Sequence, residues 1–250
     1  MPTVLLLSIL GVSALVTSFI SGILGMAGGM ILMGVLLAVL PLPAAMMLHG
    51  ITQLAANGWR ALMLRSEVDW RVFRGYVFGA LAALLVFTVV RFVVSKPVAL
   101  VAMGITPFLT LWLPEGLHLN VQRRGQPFVC GVLCAAISLT AGVSGPILDI
   151  FFVRTTMRRH AVVATKALTQ SFTHLLKIFY FGAVISMSDG GLSPWLVAMM
   201  IGLALLGTSL SRSVLERIND ASFRLWTRWT VLVLGALYLA NGLRQMVLHG

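Results

Sequence analysis

Long apolar stretches separated by short loops constrain this fold more than any other feature of the chain. A single helix needs about 17–25 residues to cross a bilayer. Six stretches reach that length, near 44–64, 74–94, 97–113, 160–182, 194–212 and 223–243. Only 10% of the residues are charged, against about a quarter in a soluble domain. Because helices satisfy their own backbone groups without water, the sequence predicts an all-α polytopic membrane protein.

Two further apolar regions do not fit a single span, because small residues interrupt them. Residues 4–40 are interrupted at 25–29, and residues 127–153 are interrupted at 141–146. We expect each region to form a helical hairpin, either re-entrant or with two tilted arms. Broken helices at matching positions in two halves of a chain are typical of a transporter's binding site.

The distribution of arginines predicts the orientation of the chain, since loops on the cytoplasmic side of a membrane are rich in Lys and Arg. The cytoplasmic loops and linker then carry Arg60, Arg65, Arg71, Arg74, Arg123, Arg124, Arg154, Arg158, Arg159, Arg212, Arg217, Arg224 and Arg228. Only Arg91, Lys96 and Arg244 fall on the other side. The net charge of +11 therefore indicates topology, and we expect no nucleic-acid partner.

This orientation predicts two inverted repeats of five segments each, with a broken hairpin opening each repeat. The first membrane repeat is 1–113, the cytoplasmic linker is 114–126, and the second repeat is 127–250. The 65–73 loop is expected in the cytoplasm and the 183–193 loop outside. We expect a multi-pass protein of the cell inner membrane with both termini in the periplasm. Homo-oligomerisation is left open.

The two halves share a Thr-Gln pair about twenty residues beyond each break, Thr52-Gln53 and Thr169-Gln170. Aligning these pairs matches polar residues that form one helical stripe in each half. The matched pairs are His49 with Lys166, Gln53 with Gln170, Asn57 with His174, and Arg60 with Lys177. Both glutamines fall about 15 Å into a core about 30 Å thick, where shared sites of inverted repeats lie.

These polar residues are candidates for binding a small anion, with interhelical contact as the alternative for each of them. Lys166 either lines the site or extends to the cytoplasmic face, and for Arg60 and Lys177 extension to the membrane surface is favoured. Asp149 either carries a proton during transport or forms an ion pair with Lys166 or Arg154.

The breaks have their own chemistry, because a helix that starts there presents free N–H groups and a positive dipole end. We expect half-helices near Gly29 and Pro146, with Gly28, Gly29 and Gly145 allowing close backbone approach to an anion. Ser144 is expected to cap its helix or donate to the ligand. Close packing between helices is the alternative function of these small residues.

Other chemistries have weaker signals. Cys130 and Cys134 share a helix face, so they form either a small-residue core contact or a redox pair. The sequence contains no H-E-x-x-H, no G-x-S-x-G and no phosphate-binding loop, so we expect neither an enzyme nor a bound cofactor or metal.

The chain resembles the TauE/SafE family of sulfite exporter-like permeases. The resemblance rests on the Gly25–Gly29 break, Pro43-Ala44, Gln53 with Asn57, the arginine-rich loop, the Gly142–Pro146 break, and the segment from Lys166 to Gln170. It implies secondary transport, by alternating access and as export, of a small sulfur-containing anion such as sulfite or an organosulfonate. The alternatives are an anion channel and a membrane-embedded thiol-redox or assembly protein. The expected partners are the anion and the lipid bilayer.

Overall fold

The structure is a computed structural model that describes residues 4–112, 119–186, 192–215 and 220–249. The described residues form α-helices and one 3₁₀ turn at Arg65–Glu67, with no strand among them, so the predicted all-α class is confirmed. The helices are α1 (Val4–Leu24), α2 (Met26–Val39), α3 (Leu42–Met63), α4 (Trp70–Val90), α5 (Lys96–Trp112), α6 (Gln126–Ala141), α7 (Gly145–Phe152), α8 (Arg159–Ser186), α9 (Pro194–Leu215) and α10 (Asp220–His249).

The six predicted spans correspond to α3, α4, α5, α8, α9 and α10. The helix ends differ from the predicted ends where side chains cap or extend a helix. The start of α4 moves from the predicted 74 to Trp70, because the Asp69 carboxylate accepts hydrogen bonds from the main-chain N–H groups of Arg71 and Val72, both at 3.0 Å. Residues 187–191 of the predicted 183–193 loop and residues 114–118 of the 114–126 linker lie outside the described residues.

Both interrupted regions fold as helix pairs, and the break in the first is narrower than predicted. Gly25 alone separates α1 from α2, with a φ of 64° that suits glycine. The expected start of a half-helix near Gly29 is therefore wrong, since α2 begins at Met26. In the second region Gly142 ends α6 with a φ of 80°, and α7 begins at Gly145 with Pro146 in its first turn.

The hairpin arms differ in reach. At 1.5 Å per residue, the 8 residues of α7 extend about 12 Å, less than half of a bilayer core about 30 Å thick. The 21 residues of α1 extend about 31 Å and match the core. The second hairpin therefore has one short arm, which begins at the buried Gly145 and is followed by the exposed Val153.

Exposed apolar side chains surround the helices in the manner of a lipid-facing surface. Four described helices are long and apolar enough to cross a membrane, over Val4–Ile23, Trp70–Val90, Pro194–Ser211 and Leu225–Leu248. All six tryptophans are exposed, including Trp195 at 85% and Trp112 at 69%, and these two stand at helix ends, where membrane proteins place aromatic side chains. The chain is a multi-pass membrane protein.

The most extensive helix contacts are those of α3 with α8, α1 with α9, α4 with α6, and α5 with α10. The long helices α3 and α8 carry the polar stripes predicted from the sequence, and these stripes are largely buried. The packing of α3 on α8 therefore shields their polar residues from lipid. It also brings the two stripes next to both hairpin breaks.

Candidate functional site

A pocket with polar walls lies where the two breaks meet α3 and α8, and its cavity volume is about 20 Å³. Its lining residues are Ser21, Gly25, Met26, Gly29, His49, Gln53, Asn57, Val143, Ser144, Gly145, Gln170 and His174. No carboxylate is among them. Eight of the residues predicted from the sequence to bind substrate are thus brought together at one place, and their roles in binding stay predictions.

The amide of Gln53 is oriented by a chain of hydrogen bonds that begins at Arg60. The guanidinium can only donate, so Arg60 Nη1 fixes Asn57 Oδ1 as its acceptor at 3.2 Å. The other end of the Asn57 amide, Nδ2, then donates to Gln53 Oε1 at 3.2 Å and to the main-chain oxygen of Gln53 at 3.1 Å. Gln53 Nε2 is thereby left as the end of the amide without a bond.

Two side chains of this pocket have buried polar atoms without a partner. Among the described residues, Gln53 Nε2 and His174 Nδ1 have no hydrogen-bond partner. The side chain of Gln170, also in the wall, has no partner among the described residues. A buried donor without a partner costs about 1–3 kcal/mol, so a ligand that accepts hydrogen bonds would recover that free energy on binding.

The second hairpin presents the start of α7 to the pocket. Ser144 occupies the N-cap position and its side chain makes no capping bond, so the capping alternative does not apply and the hydroxyl remains available. A Cβ at Gly145 would lie 2.5 Å from Met26 Cβ. Glycine at this position therefore allows the two hairpins to touch at the pocket wall.

The two adjacent glycines of α2 have different surroundings. A Cβ at Gly29 would lie 3.4 Å from Gln53 Nε2, so the absence of a side chain leaves the donor open to the pocket. A Cβ at Gly28 would lie 2.1 Å from the main-chain oxygen of Thr17. Gly28 therefore lies in the contact between α1 and α2 and does not line the pocket. For this glycine the alternative of close packing between helices is the one observed.

A buried cation that the sequence did not assign to the site lies behind the pocket. Lys177 is fully buried, so the expected extension to the membrane surface is wrong for this residue. Its ammonium lies 2.7 Å from His49 Nδ1 and donates to the main-chain oxygen of Gly142 at 2.8 Å. The signal that pointed to it was its alignment with Arg60, three residues beyond His174 on the polar stripe of α8.

Lys166 and Asp149 form an ion pair, which is the pairing alternative that the sequence analysis gave for Asp149. They do not line the pocket. They line a larger vestibule of about 290 Å³ together with Arg60 and Arg159, and this vestibule shares Ser21, Gly25, Met26 and Gln170 with the pocket. A substrate-binding role for Lys166 and a proton-coupling role for Asp149 stay predictions, now placed in the vestibule.

The two cysteines lie away from the pocket. Cys130 and Cys134 are both fully buried, with sulfur atoms 3.9 Å apart, in an apolar cluster formed mainly by α4, α6 and α7. Neither thiol borders the pocket or the vestibule. This placement favours the core interpretation over the redox pair.

The comparison with protein families finds a match to the family described as sulfite exporter TauE/SafE over residues 10–238. The matched range includes both hairpin breaks and every residue of the pocket. Neither the curated proteins nor the solved structures give a significant match.

Proposed function

Because the chain belongs to the TauE/SafE sulfite exporter family and is a membrane transporter, we propose that it carries a small sulfur-containing anion across the membrane by alternating access. Sulfite and organosulfonates are the proposed substrates. Each presents oxygen atoms that accept hydrogen bonds, and the pocket offers donors. No nucleotide-binding motif occurs in the sequence, so the proposed driving force is an ion gradient or the gradient of the substrate itself.

The observation that carries this proposal is the unpartnered Nε2 of Gln53 in a pocket without a carboxylate. Arg60 and Asn57 hold the amide so that its donor end is the free one. A hydrogen bond from such a donor to a charged acceptor contributes about 1.5–3 kcal/mol. In the proposal, Gln170 donates from the opposite helix and Ser144 from the start of α7. A carboxylate in the wall would repel the anion, and none is present.

The helix contacts support an inverted repeat, in which α1 to α5 correspond to α6 to α10. Exchanging the two sets converts the contact of α1 with α9 into that of α6 with α4, and both are extensive. The same exchange leaves the contact of α3 with α8 and the contact of α5 with α10 unchanged, because each joins two corresponding helices. A substrate site on the axis between α3 and α8 is the arrangement that inverted-repeat carriers use.

The vestibule supports an orientation of the protein in the membrane. Two of its basic residues, Arg60 and Arg159, belong to the arginine-rich side that the charge distribution assigns to the cytoplasm. The pocket thus adjoins a wide opening on that side. We propose a protein of the inner membrane with both termini in the periplasm, which takes up its anion from the cytoplasm and exports it.

Transport into proteoliposomes tests the function. Purified protein should move labelled sulfite, thiosulfate or a small sulfonate with saturable kinetics, and unlabelled substrate on the opposite side should accelerate the movement. Sulfate serves as the related anion against which selectivity is measured. Saturation with exchange is expected of a carrier, whereas flux that rises linearly with concentration would support the channel alternative. Absence of movement for every one of these anions would contradict the proposal.

A further inference from the structure

Lys177 is a basic side chain buried inside the protein. Its exposed fraction is 0%, and no carboxylate of the described residues lies within ion-pair distance. The other lysine of α8, Lys166, is paired with Asp149, so its charge is compensated. A buried ion without a partner is costly, and such groups are retained mainly where they serve a function.

The hydrogen bonds of Lys177 tie the two hairpin breaks together through His49. An ammonium has donors only, so Lys177 Nζ donates to His49 Nδ1 and the imidazole proton is on Nε2. His49 Nε2 then donates to the main-chain oxygen of Gly29 at 2.9 Å. Because both ring nitrogens are bonded, His49 has no N–H left for a ligand in the pocket. Its ring instead lies between the pocket and the Lys177 side chain.

The protein offers Lys177 only partial compensation. The oxygen of Gly142 caps the C-terminal end of α6, where the helix dipole is negative and equivalent to about half a charge. The opposite side of His49 faces the pocket, whose wall contains no carboxylate. Among the described residues a full negative charge is therefore missing from the surroundings of Lys177, and the pocket lies on the other side of His49.

We propose that the transported anion is the counter-ion of Lys177, acting across His49, and that this charge makes the pocket favour dianions over monoanions. The inference rests on the proposed function and names the charge class that the same site selects. Lys177 is then a specificity-determining residue that does not contact the substrate. Arg60, the other cation near the pocket, lines the vestibule and donates to Asn57 Oδ1, while its Nη2 is buried without a partner among the described residues.

The effect of Lys177 on affinity should scale with the charge of the ligand. At an effective dielectric constant of about 20, two unit charges about 7 Å apart interact strongly enough to change affinity roughly tenfold or more. Removing the ammonium therefore costs a dianion about twice as much free energy as a monoanion. The ratio of the two affinities should fall by about tenfold.

The experiment compares the binding of thiosulfate, a dianion, with that of methanesulfonate, a monoanion, on purified protein. Lys177→Met keeps the length of the side chain and removes its charge, and we expect the affinity ratio to fall about tenfold. Lys177→Arg keeps the charge, and we expect a ratio within about twofold of the wild type. Lys96→Met is the matched control, because Lys96 donates to the main-chain oxygen of Leu40 and lies outside the pocket.

A purely structural role for Lys177 predicts a different pattern, in which Lys177→Met weakens both anions by the same factor. The ratio of the two affinities would then be unchanged, which would overturn the inference and leave the proposed function intact. If Lys177→Met does not fold, Lys177→Arg decides, since a tenfold fall in its ratio would contradict a role of the charge alone. Failure of the wild-type protein to bind either anion would overturn this inference, whereas the proposed function fails only if sulfite is also not transported.

Discussion

Replacing Gln53 with leucine should raise or preserve stability while removing affinity for the anion. The amide nitrogen of Gln53 is buried without a partner in the empty protein. Leucine has a similar volume and introduces no polar atom. Asn57 Nδ2 loses the Gln53 Oε1 acceptor and keeps the main-chain oxygen of residue 53, so it does not become an orphan itself.

The expected magnitudes follow from these contacts. Removing an unsatisfied buried donor recovers about 1–3 kcal/mol, and losing the bond to Asn57 costs about 0.5–1.5 kcal/mol. The free energy of unfolding should therefore fall by no more than about 0.5 kcal/mol or rise by up to about 2.5 kcal/mol. Losing a hydrogen bond to a charged ligand costs about 1.5–3 kcal/mol, so affinity should fall roughly ten- to hundredfold.

Thermal unfolding and calorimetric anion binding on monodisperse protein measure the two effects separately. Gln53→Glu is the companion variant, and its added negative charge should weaken binding further. Thr52→Val is the control, since Thr52 is buried on α3, bonds only the main-chain oxygen of Leu48 and does not line the pocket. A Gln53→Leu protein that is less stable than the wild type and binds the anion normally would show that Gln53 is an interhelical contact, and the reasoning would be refuted.

Three further changes separate binding from folding. Gly29→Ala should keep the fold and weaken anion binding. Gly28→Ala should lower the free energy of unfolding by about 1–3 kcal/mol or more, because its Cβ would clash with the backbone of α1. Equal melting temperatures in the two variants would contradict this difference. Arg60→Met should lower affinity several-fold by freeing the amide chain that orients Gln53, and Arg60→Lys should restore part of it; binding unchanged in both would remove Arg60 from the mechanism. Cysteines introduced at Ser66 and Ser193 in a cysteine-free background should react with an impermeant reagent from opposite sides of the membrane, and reaction from one side would contradict the inverted repeat.

The sequence predicted the order of helices and the location of the pocket well, for physical reasons that are local. Apolar length identifies a membrane helix, and glycine or proline inside an apolar run marks its interruption. The matched stripes on α3 and α8 brought Gln53 and Gln170 to one place because helical periodicity fixes which side chains share a face.

The features that the sequence did not predict depend on how helices pack. The sequence alone does not distinguish Gly28 from Gly29. The position of α1 makes Gly28 a packing contact, whereas Gly29 forms part of the pocket wall. The burial of Lys177 depends on His49 from α3 and on Gly142 at the end of α6, which are distant in sequence. Periodicity places a residue on a face but does not state which helix covers that face.

Exchange of labelled sulfite across proteoliposomes, compared between the wild type, Gln53→Leu and Thr52→Val, tests the central claim most directly. The claim is that the pocket between the two breaks holds the transported anion through the free amide donor of Gln53. Saturable exchange in the wild type and in Thr52→Val, with an apparent affinity lowered at least tenfold in Gln53→Leu, is the predicted result. Equal exchange kinetics in all three proteins would contradict the claim, because the anion would then be carried without using this pocket.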